Sequence, residues 1–238
     1  MSTPSRVLTA SRTLTAVKGK ALYHDGIDDY VSIPDDPSLD ITDAITIEAW
    51  ANVERFEQYN EIIGKGYVFT VQSFGYSCGG RQLRIYFYDL SDPGFFYSDC
   101  VPVSTWFHFA VTYDSSTGNV FWYINGVGKL AGNTSGNLAT STYPLRIGFK
   151  FAGTNCFNGT IALVRIYKDY ALTPEEVLYN KEHPYNPVLH GCVLWLGYDS
   201  IDEGAGIWRD KSGQNNDGVI YGATAVEMNK LAGRVLSV

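Results

Sequence analysis

Short apolar–polar alternations, each cut off by a turn signal, recur along the whole chain and constrain its fold more than any other feature. Ala44–Ala51 (AITIEAWA) is the clearest case. Ile45, Ile47 and Ala49 fall on one side and Thr46, Glu48 and Trp50 on the other, the period of two expected of a strand with one face on a core. Tyr30–Ile33 alternates in the same way. Tyr67–Val71, Gln82–Tyr88, Trp106–Tyr113, Val120–Ile124, Leu145–Gly148, Thr160–Tyr167 and Cys192–Tyr198 read as further strands. Between them lie Ser38-Leu39-Asp40, Ser115–Gly118, Asn125-Gly126, Asn158-Gly159 and Asp217-Gly218. Asn-Gly and Asp-Gly tolerate positive φ and therefore close tight turns. Strands this short and this regularly punctuated predict an all-β jelly-roll sandwich of two antiparallel sheets. A single helix is expected over residues 174–180, with Thr173 as cap, Pro174 in the first helical position and Glu175 and Glu176 in the first turn. Pro184 and Pro187 end it, and residues 183–190 read as an extended linker.

At 238 residues the chain fits one large sandwich spanning 1–238, long enough to bury a core without metal or disulfide staples. With 45% hydrophobic and 18% charged residues it is globular in composition rather than disordered. The net charge of −7 and the lack of any Lys/Arg cluster argue against nucleic acid and against anionic membrane surfaces as partners. No stretch approaches a membrane span, and no secretory leader is visible at the start.

Four cysteines, Cys78, Cys100, Cys156 and Cys192, form no CxxC pair, which disfavours zinc. Cys78 and Cys100 flank a predicted hairpin and could be joined across it by a disulfide; four separate buried thiols are the alternative. Catalytic signatures are missing. The histidines are scattered, no Gly-x-Ser-x-Gly elbow occurs, and Glu48 stands alone on its strand, reading as an outward polar residue. His108, between Phe107 and Phe109, reads as structural. Asp89–Asp99 (DLSDPGFFYSD) reads as an aromatic loop tip, and Tyr86, Tyr88, Phe95, Phe96 and Tyr97 are the candidate contacts for a sugar ring or for a second subunit, with packing back over the chain's own sheet as the remaining alternative. Trp50, Trp106 and Trp122 lie in predicted strands and are assigned to the core.

Ala21–Val53, Trp106–Val127, Phe157–Val177 and Gly191–Ala223 together resemble the laminin-G-like and pentraxin branch of the concanavalin A-like lectin and glucanase superfamily. The resemblance covers most of the chain. It implies the jelly roll, and it leaves function open because this fold hosts many activities. Enzymatic relatives carry a Glu-x-Asp-x-x-Glu strand that this chain lacks, so no enzyme activity is expected. In relatives, an acidic turn like Asp25–Asp29 (DGIDD) and an Asn-Gly turn like Asn158-Gly159 can hold calcium. Asp25, Asp28 and Asn158 are thus candidate calcium ligands, although Ile161–Tyr167 (IALVRIY) lacks the two acids many relatives have there.

The segment resembling Gly191–Ala223 usually opens the domain in this family, whereas here residues 191–238 follow the part that usually closes it. That order implies a circular permutation, or a cut out of phase from a tandem array. Residues 1–20 then read as an extra strand or arm. Arg6, Val7, Leu8 and Leu14 lie in a two-sided stretch able to pair with a neighbour's sheet edge. Two functions follow as expectations. One is a self-assembling structural subunit of a virion, filament or cell surface; the other is a lectin-like module whose partners are glycans.

Overall fold

The computed structural model describes residues 19–57, 59–74, 79, 81–90, 94–149 and 156–228. Sixteen strands occur among them. In chain order these are β1 (Lys20–Asp25), β2 (Tyr30–Ile33), β3 (Ala44–Val53), β4 (Asn60–Lys65), β5 (Phe69–Phe74), β6 (Gln82–Phe87), β7 (Phe95–Cys100) and β8 (Phe107–Asp114). There follow β9 (Asn119–Ile124), β10 (Val127–Asn133), β11 (Leu145–Ile147), β12 (Asn158–Lys168), β13 (Cys192–Asp202), β14 (Ile207–Asp210), β15 (Gly218–Tyr221) and β16 (Thr224–Glu227). One α-helix, α1 (Pro174–Glu182), lies between β12 and β13.

The pairing order β10-β9-β8-β3-β12 builds the first sheet. β12 has eleven residues and accepts two partners on its far edge, β1 along Asn158–Ile161 and β13 along Val164–Tyr167. Hydrogen bonding continues from β13 through β14 and β15 into the second sheet, β15-β2-β11-β4-β5-β6-β7. Strands from the C-terminal segment thus complete the same chain's sandwich, with Leu196 opposite Val164. The predicted arm carrying Arg6, Val7, Leu8 and Leu14 lies outside the described residues.

The two sheets face each other across one core. Ile45, Ile47, Phe109, Val111, Trp122, Ile161 and Val164 come from the first sheet and Val31, Ile63, Val71, Ile85 and Phe96 from the second. The Trp122 indole N–H donates to the Phe96 carbonyl at 3.1 Å and ties the layers together. Trp106 is buried in a smaller cluster on the outer side of the first sheet, with half-buried Trp50 packed against it, so only Trp122 of the three tryptophans fills the inter-sheet core.

Local chemistry explains the boundaries. Asn125 and Gly126 take φ of 53° and 83° and close the β9–β10 hairpin, as the Asn-Gly signal predicts. Helix α1 starts with a full capping box, in which the Thr173 hydroxyl accepts from the Glu176 amide and the Glu176 carboxylate accepts from the Thr173 amide. It extends two residues further than expected and buries Val177 and Asn180 against the first sheet.

Two sequence expectations are corrected here. Asn158-Gly159 opens β12 and is no turn; Gly159 has φ of 147° and lies where a Cβ would overlap the Asn52 carbonyl, so glycine permits close backbone approach. The stretch read as an apolar loop tip contains strand β7, whose alternation turns Phe96 into the core.

Candidate functional site

Alternation along β5, β6 and β7 presents one row of side chains to the core and the other outward. Phe69, Val71, Leu83, Ile85, Phe87 and Phe96 point in. By register, Thr70, Gln72, Phe74, Arg84, Tyr86, Phe95 and Tyr97 share the opposite face, with Tyr86 opposite Phe95 and Arg84 opposite Tyr97. Tyr59 and Tyr67 join them from the adjoining segments, and Phe95 and Tyr67 are exposed at 41% and 53%. The rings touch in series: Phe95–Tyr97 at 5.7 Å, Tyr97–Phe74 at 5.3 Å, Phe74–Tyr59 at 5.4 Å, Tyr86–Tyr88 at 4.6 Å and Tyr88–Tyr67 at 5.6 Å between centroids.

Polar groups are set between these rings. The Arg84 guanidinium donates to Gln72 Oε1 at 2.5 Å, and the Thr70 hydroxyl donates to Glu61 Oε2 at 2.7 Å. Gly64 leaves room for the Glu61 carboxylate, since a Cβ there would overlap it. Burial, followed by the Glu61 charge, pushes the Tyr88 hydroxyl above its ordinary range, which keeps it a hydrogen-bond donor. Exposed Phe95, Tyr59 and Tyr67 and half-buried Tyr86, Tyr88, Tyr97 and Arg84 can stack on a sugar face and bond its hydroxyls, while Phe74, Glu61, Gln72 and Thr70, each at most 5% exposed, brace them from beneath.

The structure brings Tyr86, Tyr88, Phe95 and Tyr97 together on this face. Phe96 is removed from that set: it is 3% exposed and belongs to the core, because a strand sends alternate residues to opposite faces. Tyr59, Glu61, Gln72, Phe74 and Arg84 escaped notice. The alternation in FTVQSF (Phe69–Phe74) could have revealed Gln72 and Phe74.

The acidic turn forms as its sequence implies. Carboxylate oxygens of Asp25, Asp28 and Asp29 lie within 4.8 Å of one another. Asp25 accepts from the Ile27 amide at 2.7 Å, and Asp29 from the Asp25 amide at 2.9 Å. Burial raises the Asp29 carboxyl, and the neighbouring acids add to the rise. Asn158 adjoins this turn. Its side-chain amide donates to the Asp25 carbonyl at 2.6 Å and its own carbonyl accepts from the Glu54 amide at 3.1 Å, so it braces the turn. Three carboxylates this close are the kind of oxygen donors a hard cation takes. Cys100 is disulfide-bonded and Cys156 and Cys192 are free; Cys78 lies outside the described residues.

Glu48 is not the outward polar residue expected. It is fully buried on the outer face of the first sheet, beneath α1 and residues 184–188. Its Oε1 accepts from Arg165 at 2.7 Å and Asn180 at 3.0 Å, and its Oε2 meets His108 Nε2 at 3.2 Å. Asn180 also accepts from the Val188 amide, and Arg165 donates to the Pro184 carbonyl, so the cluster clamps the helix and the linker to the sheet. Enclosed in this way, Glu48 has no surface through which to meet a substrate. A cavity of about 240 Å³ opens nearby, between β8, β9 and the start of α1, lined by Thr112, Asp114, Phe121, Tyr123 and Pro174 among others.

A two-sheet jelly roll with an aromatic, polar outer face defines a lectin-type sandwich. The family description "Concanavalin A-like lectin/glucanases superfamily" matches residues 25–178, and the chain belongs to that superfamily. Among solved structures, it is similar to a protein of Bacteroides ovatus ATCC 8483 for which carbohydrate binding is inferred. That likeness has 22% identity and a TM-score of 0.66, and covers 88% of this chain and 60% of the other's length. Domain 4 of AbnA, a GH43 extracellular arabinanase from Geobacillus stearothermophilus solved with arabinotriose, is similar at 23% identity and TM-score 0.53, over 67% of this chain and 75% of that one. The heptameric SAP-like pentraxin of Limulus polyphemus is similar at 14% identity and TM-score 0.51, over 71% of this chain and 84% of that one. No curated protein matches the chain in sequence. No described helix is long and apolar enough to cross a membrane.

Proposed function

We propose that this chain is a non-catalytic, lectin-like module that binds a glycan on the outer face of β4 to β7. The carrying observation is the run of touching rings from Phe95 to Tyr59 with half-buried Arg84 beside them, held from beneath by buried Gln72. The inferred carbohydrate binding of the Bacteroides ovatus protein and the arabinotriose held by the AbnA domain support the same reading. Glu48, the strand acid that could have been suspected of catalysis, is consumed by a structural ion cluster on the opposite sheet. Calorimetry against a panel of neutral and acidic oligosaccharides tests the proposal. Tyr97→Ala and Phe95→Ala should each weaken the best binder about tenfold, through lost stacking and apolar burial. Affinities unchanged in both variants would move the site elsewhere.

Self-assembly is a second reading. It is favoured by the outer edge of β10, which has no partner strand among the described residues and exposes Val127 and Leu130 at 75% and 46%. Light scattering on the full chain and on a chain lacking residues 1–17 tests the predicted arm. An oligomer that collapses on truncation supports it; a mass unaffected by truncation rejects it.

A further inference from the structure

Arg84 holds a charge that the protein does not neutralise by contact. Among the described residues no carboxylate forms an ion pair with it, and its guanidinium donates to the neutral amide of Gln72. Its Nε is buried with no partner. An unpaired donor on a half-buried cation costs stability, and such groups persist where something else answers them.

The surrounding rings leave room for an answer. The guanidinium carbon lies 4.8 Å from the Tyr59 centroid and 4.6 Å from that of Phe74, and those two rings are 5.4 Å apart at 70°. Three such similar distances make a near-equilateral triangle, so Tyr59 and Phe74 support the guanidinium without sandwiching it, and the Tyr86 ring stands farther off at 5.9 Å. Tyr59 reaches this position with φ of 71°, the left-handed region that a bulky aromatic residue rarely occupies. Strain of this kind concentrates where a side chain must be placed for binding.

Glu61 is an acid on this face by register, opposite Gln72, and no ion pair joins it to Arg84 among the described residues. It lies over Gly64 and accepts from Thr70, and Gly64 is the register partner of Arg146 on β11. Strands are spaced about 4.8 Å apart, which places β4 about 10 Å from β6. Arg84 thus stands as a cation beside the rings with no carboxylate bonded to it among the described residues. The chain as a whole carries −7, so this cation is a local exception to the overall field.

We infer that the glycan-binding face selects sugars bearing a carboxylate, hexuronates, with Arg84 taking the carboxylate while Tyr59 and Tyr97 supply stacking over the buried Phe74. A planar guanidinium matches a planar carboxylate in shape and charge. The inference rests on the glycan-binding reading and makes it more specific.

The test is calorimetry with three oligouronates, oligogalacturonate, oligomannuronate and a glucuronate-containing oligomer, each compared with its own fully methyl-esterified form. Esterification removes the charge and leaves the sugar in place. The best acidic probe should bind about tenfold or more tightly than its ester, the scale of a hydrogen bond to a charged group. Arg84→Gln should erase that preference, so that acid and ester bind alike. Gln72→Glu, which keeps Arg84 and gives it an internal carboxylate, should erase it as well and covers the case in which Arg84→Gln misfolds. If esters or neutral oligosaccharides bind as well as the acids do, the uronate inference fails and glycan binding stands. If no sugar in either set binds, the functional proposal fails with it.

Discussion

Replacing Glu48 by alanine should be among the most damaging single changes in this protein. Arg165, Asn180 and His108 converge on its carboxylate, and Glu48, His108 and Arg165 are at most 1% exposed. Without it, the Arg165 guanidinium stays buried with only the Pro184 carbonyl and the Trp195 ring at 5.6 Å. Stranding one member of a buried pair costs about 3–5 kcal/mol, against a total stability of about 5–15 kcal/mol. Glu48→Gln keeps an acceptor for Arg165 and loses the charge, so it should cost about 1.5–3 kcal/mol. The paired change Glu48→Leu with Arg165→Met removes both charges and should cost clearly less than the sum of the single changes.

The pH dependence gives a second readout of the same cluster. Burial alone would raise the Glu48 carboxyl, but Arg165 and the His108 contact outweigh it and hold the group below its ordinary value of 4.5. A carboxyl lowered on folding contributes stability that is complete above the unfolded value and is lost as pH falls through the folded one. Arg165→Met leaves burial unopposed except by His108. The Glu48 carboxyl should then move upward, and stability should fall as pH rises above the unfolded value. Urea denaturation followed by tryptophan fluorescence between pH 4 and 8 measures both effects. A loss below about 1 kcal/mol for Glu48→Ala, or single-change losses that simply add in the double variant, would refute the clamp.

Three further outcomes are expected. Phe96→Ala should lower stability by about 3–5 kcal/mol through a core cavity while Phe95→Ala, on the other face of the same strand, stays within about 1 kcal/mol; similar losses in urea titrations would contradict the strand assignment. Thr173→Ala should cost about 1 kcal/mol by removing the helix cap, measured the same way, and a neutral result would mean that α1 is held by Asn180 and Val177 alone. Calcium should raise the melting temperature if it occupies the Asp25, Asp28 and Asp29 cluster, a chelator should reverse the rise, and Asp28→Ala should abolish it; no shift in the wild-type chain removes calcium from the account.

The sequence speaks clearly where a local rule decides. Alternation in Ala44–Ala51 correctly separated Ile45, Ile47 and Ala49 from Thr46, Glu48 and Trp50, and the Thr173–Glu176 pair marked the start of α1. It is silent about what later covers a face. Glu48 reads as solvent-facing because nothing in its own strand announces Arg165, 117 residues away, or Asn180, 132 away. Phe95-Phe96-Tyr97 after Pro93-Gly94 looks like one apolar tip because three aromatic residues in a row hide the period of two. Arg84 was overlooked for a related reason: its meaning comes from Tyr59 and Phe74, contributed by other segments of the chain.

The central claim is that the outer face of β4 to β7 binds sugar. Its most direct test is an amide-resolved NMR titration with the oligosaccharide that binds most tightly in calorimetry. The account predicts saturable shifts that cluster at Thr70, Gln72, Arg84, Tyr86 and Tyr97, with β8, β9 and α1 unmoved. Shifts concentrated instead at Thr112, Phe121, Tyr123 and Leu172, around the cavity on the opposite sheet, would contradict it.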